Sequence, residues 1–415
     1  MRIAWLISLY PPYIVGGNEM LARDIILALR QRGHDVHVLT AHGAELNGLD
    51  GVHQVSNYDL ADKDAIFLGG RAFTARDILK HHVFDRASYV AAQKTLRELK
   101  PDLIVVDNQY MASAAGLLAA RGAGCPVVAQ AADKWLRYLL WDLGLLIKPS
   151  QSWQRAVVST YSHLAQPLLR RWGSPDRILT ISEFIKDQYV EAGFPETHID
   201  VGYLGIDTSL YPPRAGPHSG DNNLQVVFAG QLWEGKGPQV LVEALGLLRR
   251  QVTGLDLSLR IVGEGSEAFK TFLKARIREQ GIEDRTLLDG FVPLSGLAER
   301  LRNADLFVFP STWDEPFSIT LVAAMASGAA VIATRTGGTP EALIDGVEGI
   351  LVPPNDATTL AGAIQLLASD PDRRNELGQA ASARAHRQWS FKAYIQRLEQ
   401  YYSLVIAEAG KKGQP

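Results

Sequence analysis

Short apolar runs alternate along the whole chain with longer stretches in which apolar positions recur every three or four residues. A run too short for a helix, bounded by turn residues, reads as a buried strand. The periodic stretch after it reads as a helix packed on the sheet. In the first half this pattern predicts strands over Ile3–Ile7, Asp35–Leu39, Leu103–Val106, Val127–Gln130 and Ile178–Ile181, with a first helix from about Asn18 to Arg30 that stops at Gly33. The second half repeats the plan. Strands fit Gln225–Ala229, Leu257–Val262, Thr286–Leu288, Leu306–Phe309, Ala330–Ala333 and Gly349–Val352. Helices fit Pro238–Arg249, Glu267–Gln280, Leu297–Arg302, Ile319–Ser327, Thr358–Leu367 and Arg373–Arg387. Near-continuous apolar strands suit parallel sheets covered on both faces, so the fold class is α/β with two doubly wound halves.

Between the halves, Tyr211 to Asp221 is rich in proline and glycine and poor in apolar residues, which marks a linker. Two such sheets joined this way are expected to leave a cleft at the carboxyl ends of their strands, where ligands of open α/β sheets bind. The last stretch, Phe391 to Glu408, carries Tyr394, Ile395, Leu398, Tyr401, Tyr402 and Leu404–Val405 at helical spacing. Its apolar face needs a partner, either the second domain or, by crossing back, the first.

Length and composition agree with this division. A chain of 415 residues exceeds one ordinary domain, and 47% hydrophobic with 21% charged residues is ordinary for a globular protein. A net charge of −3 argues against a nucleic-acid partner. The single cysteine, Cys125, rules out an internal disulfide or a cysteine-based zinc site and fits a reducing, cytoplasmic setting. The apolar start Met1–Ile7 is far shorter than a membrane span and lacks a cleavage site, so it reads as a first strand rather than a signal peptide.

The loops after the strands carry the candidate chemistry. Gly16 and Gly17 follow the first strand and open the first helix, where glycine backbone and helix-start amides favour phosphate; a plain turn is the competing reading. Gly230-Gln231-Leu232-Trp233-Glu234-Gly235-Lys236-Gly237 places a lysine on a glycine-flanked turn before Pro238, a charge that suits a diphosphate unless the lysine is simply solvated. Asp305 to Gly328 runs from a buried strand through a polar loop into a helix beginning near Phe317. The Glu315 carboxylate then lies at the sheet edge, able to accept from sugar hydroxyls, with amides near Phe317 and Ser318 free for phosphate. A capping role for Asp314 or Glu315 is the alternative. Thr336-Gly337-Gly338-Thr339-Pro340-Glu341 repeats the strand–glycine–helix arrangement.

These residues resemble family 4 of the retaining glycosyltransferases, also described as glycosyl transferases group 1, which have the GT-B fold of two facing Rossmann-like domains. The resemblance extends over almost the whole chain: Tyr10-Pro11-Pro12 with Gly16-Gly17 and Glu19, Arg32-Gly33-His34-Asp35-Val36, Ile181-Ser182-Glu183-Phe184, Gly205-Ile206-Asp207, Gly230 to Gly237, Val262-Gly263-Glu264-Gly265, Pro310-Ser311 with Glu315-Pro316-Phe317, Gly337-Gly338 with Glu341, and Gly349 to Pro354 follow in the family's order. It implies an acceptor-side domain over 1–207, a linker over 208–223, a nucleotide-sugar-binding domain over 224–390, and a helix over 391–415 that crosses back to the first domain. It further implies that Lys236 contacts the donor diphosphate and Glu315 the transferred sugar. Gly230, Gln231, Pro316, Phe317 and Ser318 would line the donor, with Gly16 and Gly17 approaching it from the N-terminal side.

Three positions depart from the family pattern. Ala323 stands where the family usually has a second glutamate contacting the ribose, Gln231 where an arginine follows the phosphate-loop glycine, and Ala132 where a histidine precedes Asp133. Losing a charge-assisted hydrogen bond of about 1.5–3 kcal/mol would weaken donor binding by roughly 10- to 100-fold. The implied reaction is a retaining, metal-independent transfer from a nucleotide-diphosphate-sugar co-substrate, without a further cofactor, to a saccharide, lipid-linked or small-molecule hydroxyl. Asp133 would be an acceptor-side hydrogen-bond partner. The alternatives are a non-catalytic nucleotide-sugar-binding homologue and a sugar-nucleotide epimerase on the same fold.

Asp62-Lys63-Asp64 has an aspartate–x–aspartate spacing but reads as solvated surface rather than a metal site. The stretch Trp135 to Trp172 interleaves Trp135, Trp141, Trp153 and Trp172 with Arg137, Arg155, Arg170 and Arg171. Peripheral contact with the inner face of a membrane and stacking on an acceptor are the functional readings, and an amphipathic insertion packed on the domain is the structural one.

Overall fold

Thirteen strands among the described residues build two sheets, in which every paired neighbour is parallel. The computed structural model describes all residues except 15, 16, 60–83, 110–112, 141–151, 161, 162, 165, 215–222 and 413–415. The first sheet contains β1 (Arg2–Ile7), β2 (Asp35–His42), β3 (Val52–Asp59), β4 (Leu103–Asp107), β5 (Val127–Ala131), β6 (Arg177–Thr180) and β7 (Ile199–Val201), in the order β3-β2-β1-β4-β5-β6-β7. The second contains β8 (Asn223–Ala229), β9 (Asp256–Val262), β10 (Thr286–Gly290), β11 (Leu306–Phe309), β12 (Ala330–Thr334) and β13 (Ile350–Val352), in the order β10-β9-β8-β11-β12-β13. In each sheet the first strand is central, the chain builds outward on one side, and then it jumps to the other. Each sheet therefore has one topological switch point, between β1 and β4 and between β8 and β11.

The predicted strands form at the places the apolar runs indicate, because a strand such as Leu103–Asp107 is buried on both faces. Two strands are additional. β3 reads Val-His-Gln-Val-Ser-Asn-Tyr-Asp and lies at the sheet edge, where polar side chains are tolerated, and β7 is only three residues long. The helix expected near Phe317 begins at Ile319, because Ser318 is its N-cap and accepts from the Leu321 N–H at 3.2 Å.

The chain divides into two units, Met1–Gly202 with Ile395–Pro415, and Tyr203–Tyr394. In the first, the helix Gly17–Gln31 buries Ala22, Ile25, Ile26 and Leu29. The last helix, Phe391–Lys412, contributes residues from Ile395 onward to this unit. Glu399 pairs with Arg32 and His34 at 2.6 and 2.7 Å, Arg177 with Glu408 at 2.8 Å, and the Tyr401 hydroxyl donates to Asp200 at 2.8 Å. Tyr402 is fully buried, and its hydroxyl donates to Gln130 Oε1 at 3.3 Å. In the second unit, Val226, Phe228, Leu241, Leu245, Leu306 and Ile332 are central to the core. Tyr203 to Tyr211 belong to this unit, ahead of the proline-rich stretch, and Ile206 bridges to Ser390. Residues 215–222 of the expected linker lie outside the described residues.

Candidate functional site

At the carboxyl edge of the second sheet, the strands around the switch point run into three loops. β8 continues into Gly230–Gly237, β11 into Pro310–Ser318 and β12 into Arg335–Gly338. The first two are sewn together by backbone. The Thr312 and Trp313 N–H groups donate to the Gly235 carbonyl at 2.8 and 3.1 Å. Gly237 has φ +72°, and a Cβ there would lie 1.9 Å from the Pro310 carbonyl oxygen, so only glycine permits this approach. The third loop joins through the Gly338 N–H, which donates to the Glu315 carbonyl at 2.7 Å.

This stitching brings Lys236 and Glu315 together. Lys236 Nζ lies 2.7 Å from Oε1 and 2.9 Å from Oε2 of Glu315, across 79 positions of sequence. The Ser311 hydroxyl donates to Oε1 at 2.8 Å, and the ammonium lies 5.9 Å from the centre of the Phe309 ring. Glu315 is buried while Lys236 is about a quarter exposed, with 5% and 23% of their side-chain surfaces accessible. The pair thus holds each charge in place yet leaves ammonium hydrogens on the solvent side, since an ammonium has three donors. The solvated-lysine and capping alternatives for Lys236 and Glu315 do not describe this arrangement.

Other candidates surround the pair. Ser318 is buried and caps the helix Ile319–Ala326. The backbone N–H groups of Phe317, Ser318, Ile319 and Thr320 precede that helix's own hydrogen bonds and have no partner among the described residues. Pro316 is half-buried, and Phe317 is buried against Tyr203 and Trp389, with ring centroids 5.7 and 5.4 Å away. Gly230 donates to the Val262 carbonyl at 3.0 Å, and Gln231 is exposed. Ala323 is buried and supplies no polar side chain; its carbonyl accepts from Ser327. A cavity of about 250 Å³ lined by Leu245, Leu248, Asp256, Asp284 and Thr286 lies at the opposite, amino end of the strands.

The first unit has a polar centre at its own switch point. Gly17 opens the helix Gly17–Gln31, while Gly16 lies outside the described residues. Asp107, the last residue of β4, is in register with Ile7 of β1 and Gln130 of β5. It is buried and accepts from Asn18 Nδ2 at 3.2 Å. Burial pushes its carboxyl up to about 7, against the opposing pull of the Asn18 bond and with a further push from the Asp133 and Glu19 charges. Asp107 is not among the residues the sequence motifs single out; its one signal there is a carboxylate closing an otherwise wholly apolar run. Asp133, the proposed acceptor contact, accepts from the Trp135 N–H at 2.8 Å, as a residue ahead of a helix start does, and its carbonyl accepts from the Tyr189 hydroxyl at 3.0 Å.

Asp62-Lys63-Asp64, Trp141 and residues 141–151 lie outside the described residues. Of the rest of the Trp135–Trp172 stretch, Trp135, Leu136, Leu139 and Leu169 are buried as the packed-insertion reading requires, whereas Leu164, Leu168 and Trp172 are exposed. Among the described residues no helix is long and apolar enough to cross a membrane, and no group of three metal-ligating side chains occurs.

The family profile described as "Glycosyltransferase Family 4" matches residues 15–210, and that described as "Glycosyl transferases group 1" matches residues 214–384. A D-inositol 3-phosphate glycosyltransferase of Arthrobacter sp. (strain FB24) is 36% identical over 215 residues, 50% of this chain and 51% of that protein. The chain spans about half the length of these first relatives. A glycogen synthase of Mycobacterium tuberculosis is 27% identical over 429 residues, covering 99% of this chain and 96% of that protein. Among solved structures, Anabaena Alr3699/HepE in complex with UDP and glucose superposes with a TM-score of 0.68 at 22% identity, over 97% of this chain and 99% of that one, a likeness of fold.

Proposed function

We propose that this chain, which belongs to the family 4 glycosyltransferases of group 1 and has their GT-B type of α/β architecture, moves a sugar from a nucleotide-diphosphate donor to an acceptor hydroxyl. The observation that carries the proposal is the Lys236–Glu315 pair, held on the two loops that flank the switch point of the second sheet. Crystal structures of the fold neighbour HepE with UDP and with UDP-glucose support the choice of a nucleotide-sugar donor.

In this reading the bond between the sugar's anomeric carbon and the β-phosphate oxygen breaks, and its electron pair stays on the phosphate. The acceptor oxygen forms the new bond on the same face, and its proton passes to a departing phosphate oxygen. The protein's part is to stabilise the charge that grows on the diphosphate. In this reading Lys236 and the N–H groups at Phe317–Thr320 supply that stabilisation as fixed donors. Glu315 orients the sugar through its hydroxyls while keeping Lys236 in position. Charge neutralisation by these groups is the basis for proposing a metal-independent reaction, and the family resemblance is the basis for retention. Contact with a membrane surface through Leu164, Leu168 and Trp172 belongs to the same proposal.

Ala323 and Gln231 favour a second reading, a nucleotide-sugar binder without turnover. The test is a thermal-shift screen with UDP, GDP and ADP and their hexose conjugates, followed by assay for released nucleoside diphosphate. A melting shift with slow donor hydrolysis supports the transferase; a shift without any release supports the binder. No shift with any of them refutes both.

A further inference from the structure

The two loops that present Lys236 and Glu315 also present two tryptophans to solvent. Trp233 and Trp313 are 36% and 50% exposed, and their rings meet edge to face with centroids 5.7 Å apart at 63°. Their position is built in. The loops are fastened by the hydrogen bonds from Thr312 and Trp313 to Gly235. The Trp233 ring lies so close over Gly235 that a Cβ there would fall 2.1 Å from its outer edge. Two large aromatic side chains are thereby kept partly in water on fastened loops, although the same chain buries Trp5, Trp135 and Trp389. Each is followed or flanked by an exposed carboxylate, Glu234 and Asp314, and neither carboxylate has a partner among the described residues.

We propose that Trp233 and Trp313 form a shelf on which one neutral pyranose ring of the acceptor stacks, beside the Lys236–Glu315 pair. A pyranose has an apolar C–H face that suits an aromatic ring and hydroxyls that donate to carboxylates at its rim. Glu234 and Asp314 oppose a phosphorylated or otherwise anionic ligand at the same place, and they also oppose an anionic lipid surface. The inference rests on the proposed transferase reading for the word acceptor, but not for the existence of the shelf.

The test uses the full chain labelled with 5-fluorotryptophan, the two resonances being identified with Trp233→Phe and Trp313→Phe. Methyl α- and β-glucosides, galactosides and mannosides are titrated with UDP present, and glucose 6-phosphate and phenol serve as controls. At least one methyl pyranoside should shift both resonances, with glucose 6-phosphate binding more weakly. Trp313→Ala should raise the pyranoside dissociation constant roughly tenfold, the effect of losing one stacking face. Both tryptophans are surface residues, and an unchanged UDP-induced melting shift in the variants verifies their folding. If no pyranoside moves either resonance, or phenol alone does, or glucose 6-phosphate binds as well as its neutral counterpart, the shelf assignment falls. Failure of UDP to raise the melting temperature of the unsubstituted chain would count against the transferase reading separately, leaving the pyranoside titration to decide the shelf.

Discussion

Asp107→Asn isolates a titration that the structure places at one buried atom pair. In the folded chain burial raises the Asp107 carboxyl to about 7 from an ordinary 3.8, so between roughly pH 4 and 7 it is protonated when folded and ionised when unfolded. The unfolded state then binds fewer protons, and stability falls as pH rises through this window and levels off above about 7. At 1.36 kcal/mol for each tenfold change, the full loss is about 4 kcal/mol, and local relaxation reduces what is measured. Asparagine keeps the volume and an acceptor for Asn18 Nδ2, but does not ionise. Urea unfolding of both proteins at pH 4.5, 6 and 8 reads the difference directly. The variant should match the parent near pH 4.5 and exceed it by roughly 2–4 kcal/mol at pH 8. Parallel stability profiles for the two proteins would refute the buried, proton-holding carboxyl.

Lys236→Ala strands the buried Glu315 without its cation and should cost about 3 kcal/mol in chemical unfolding as well as abolish UDP-induced stabilisation. Gln231→Arg adds a cation beside Gly230 on an exposed position, and calorimetric titration should find UDP bound roughly tenfold more tightly with the melting temperature unchanged. Gly237→Ala forces a Cβ against the Pro310 carbonyl at positive φ, so a loss of roughly 2–3 kcal/mol together with weaker UDP binding is expected from parallel unfolding and titration. Replacing both Leu168 and Trp172 by serine should abolish co-sedimentation with anionic phospholipid vesicles while leaving the melting temperature within a degree or two, because both side chains are exposed.

The two-sheet plan is legible in the sequence because buried parallel strands leave unbroken apolar runs, as in Leu103–Val106 and Leu306–Phe309. β3 escapes the same reading, since an edge strand such as Val52–Asp59 keeps polar residues that look like loop. Position along the chain also places Lys236 and Glu315 on the same sheet edge. Their direct pairing depends on Gly237 and on backbone bonds between loops far apart in sequence, which no local pattern encodes. Asp107 and Asp133 show the converse limit. Each is a carboxylate beside a strand end, and only burial and partners distinguish the one that holds a proton from the one that steadies a helix start.

The return of Ile395–Pro415 to the first unit has a consequence for the order in which the protein is made. Tyr203–Tyr394 forms one uninterrupted length and can fold as it leaves the ribosome. The first unit, begun earlier, acquires Tyr402, Val405 and the Glu399 pairings only after the second unit has been synthesised. Early in translation the amino-terminal sheet must therefore wait, with part of its apolar surface uncovered, while the second unit folds. The unit that starts before the other is completed after it.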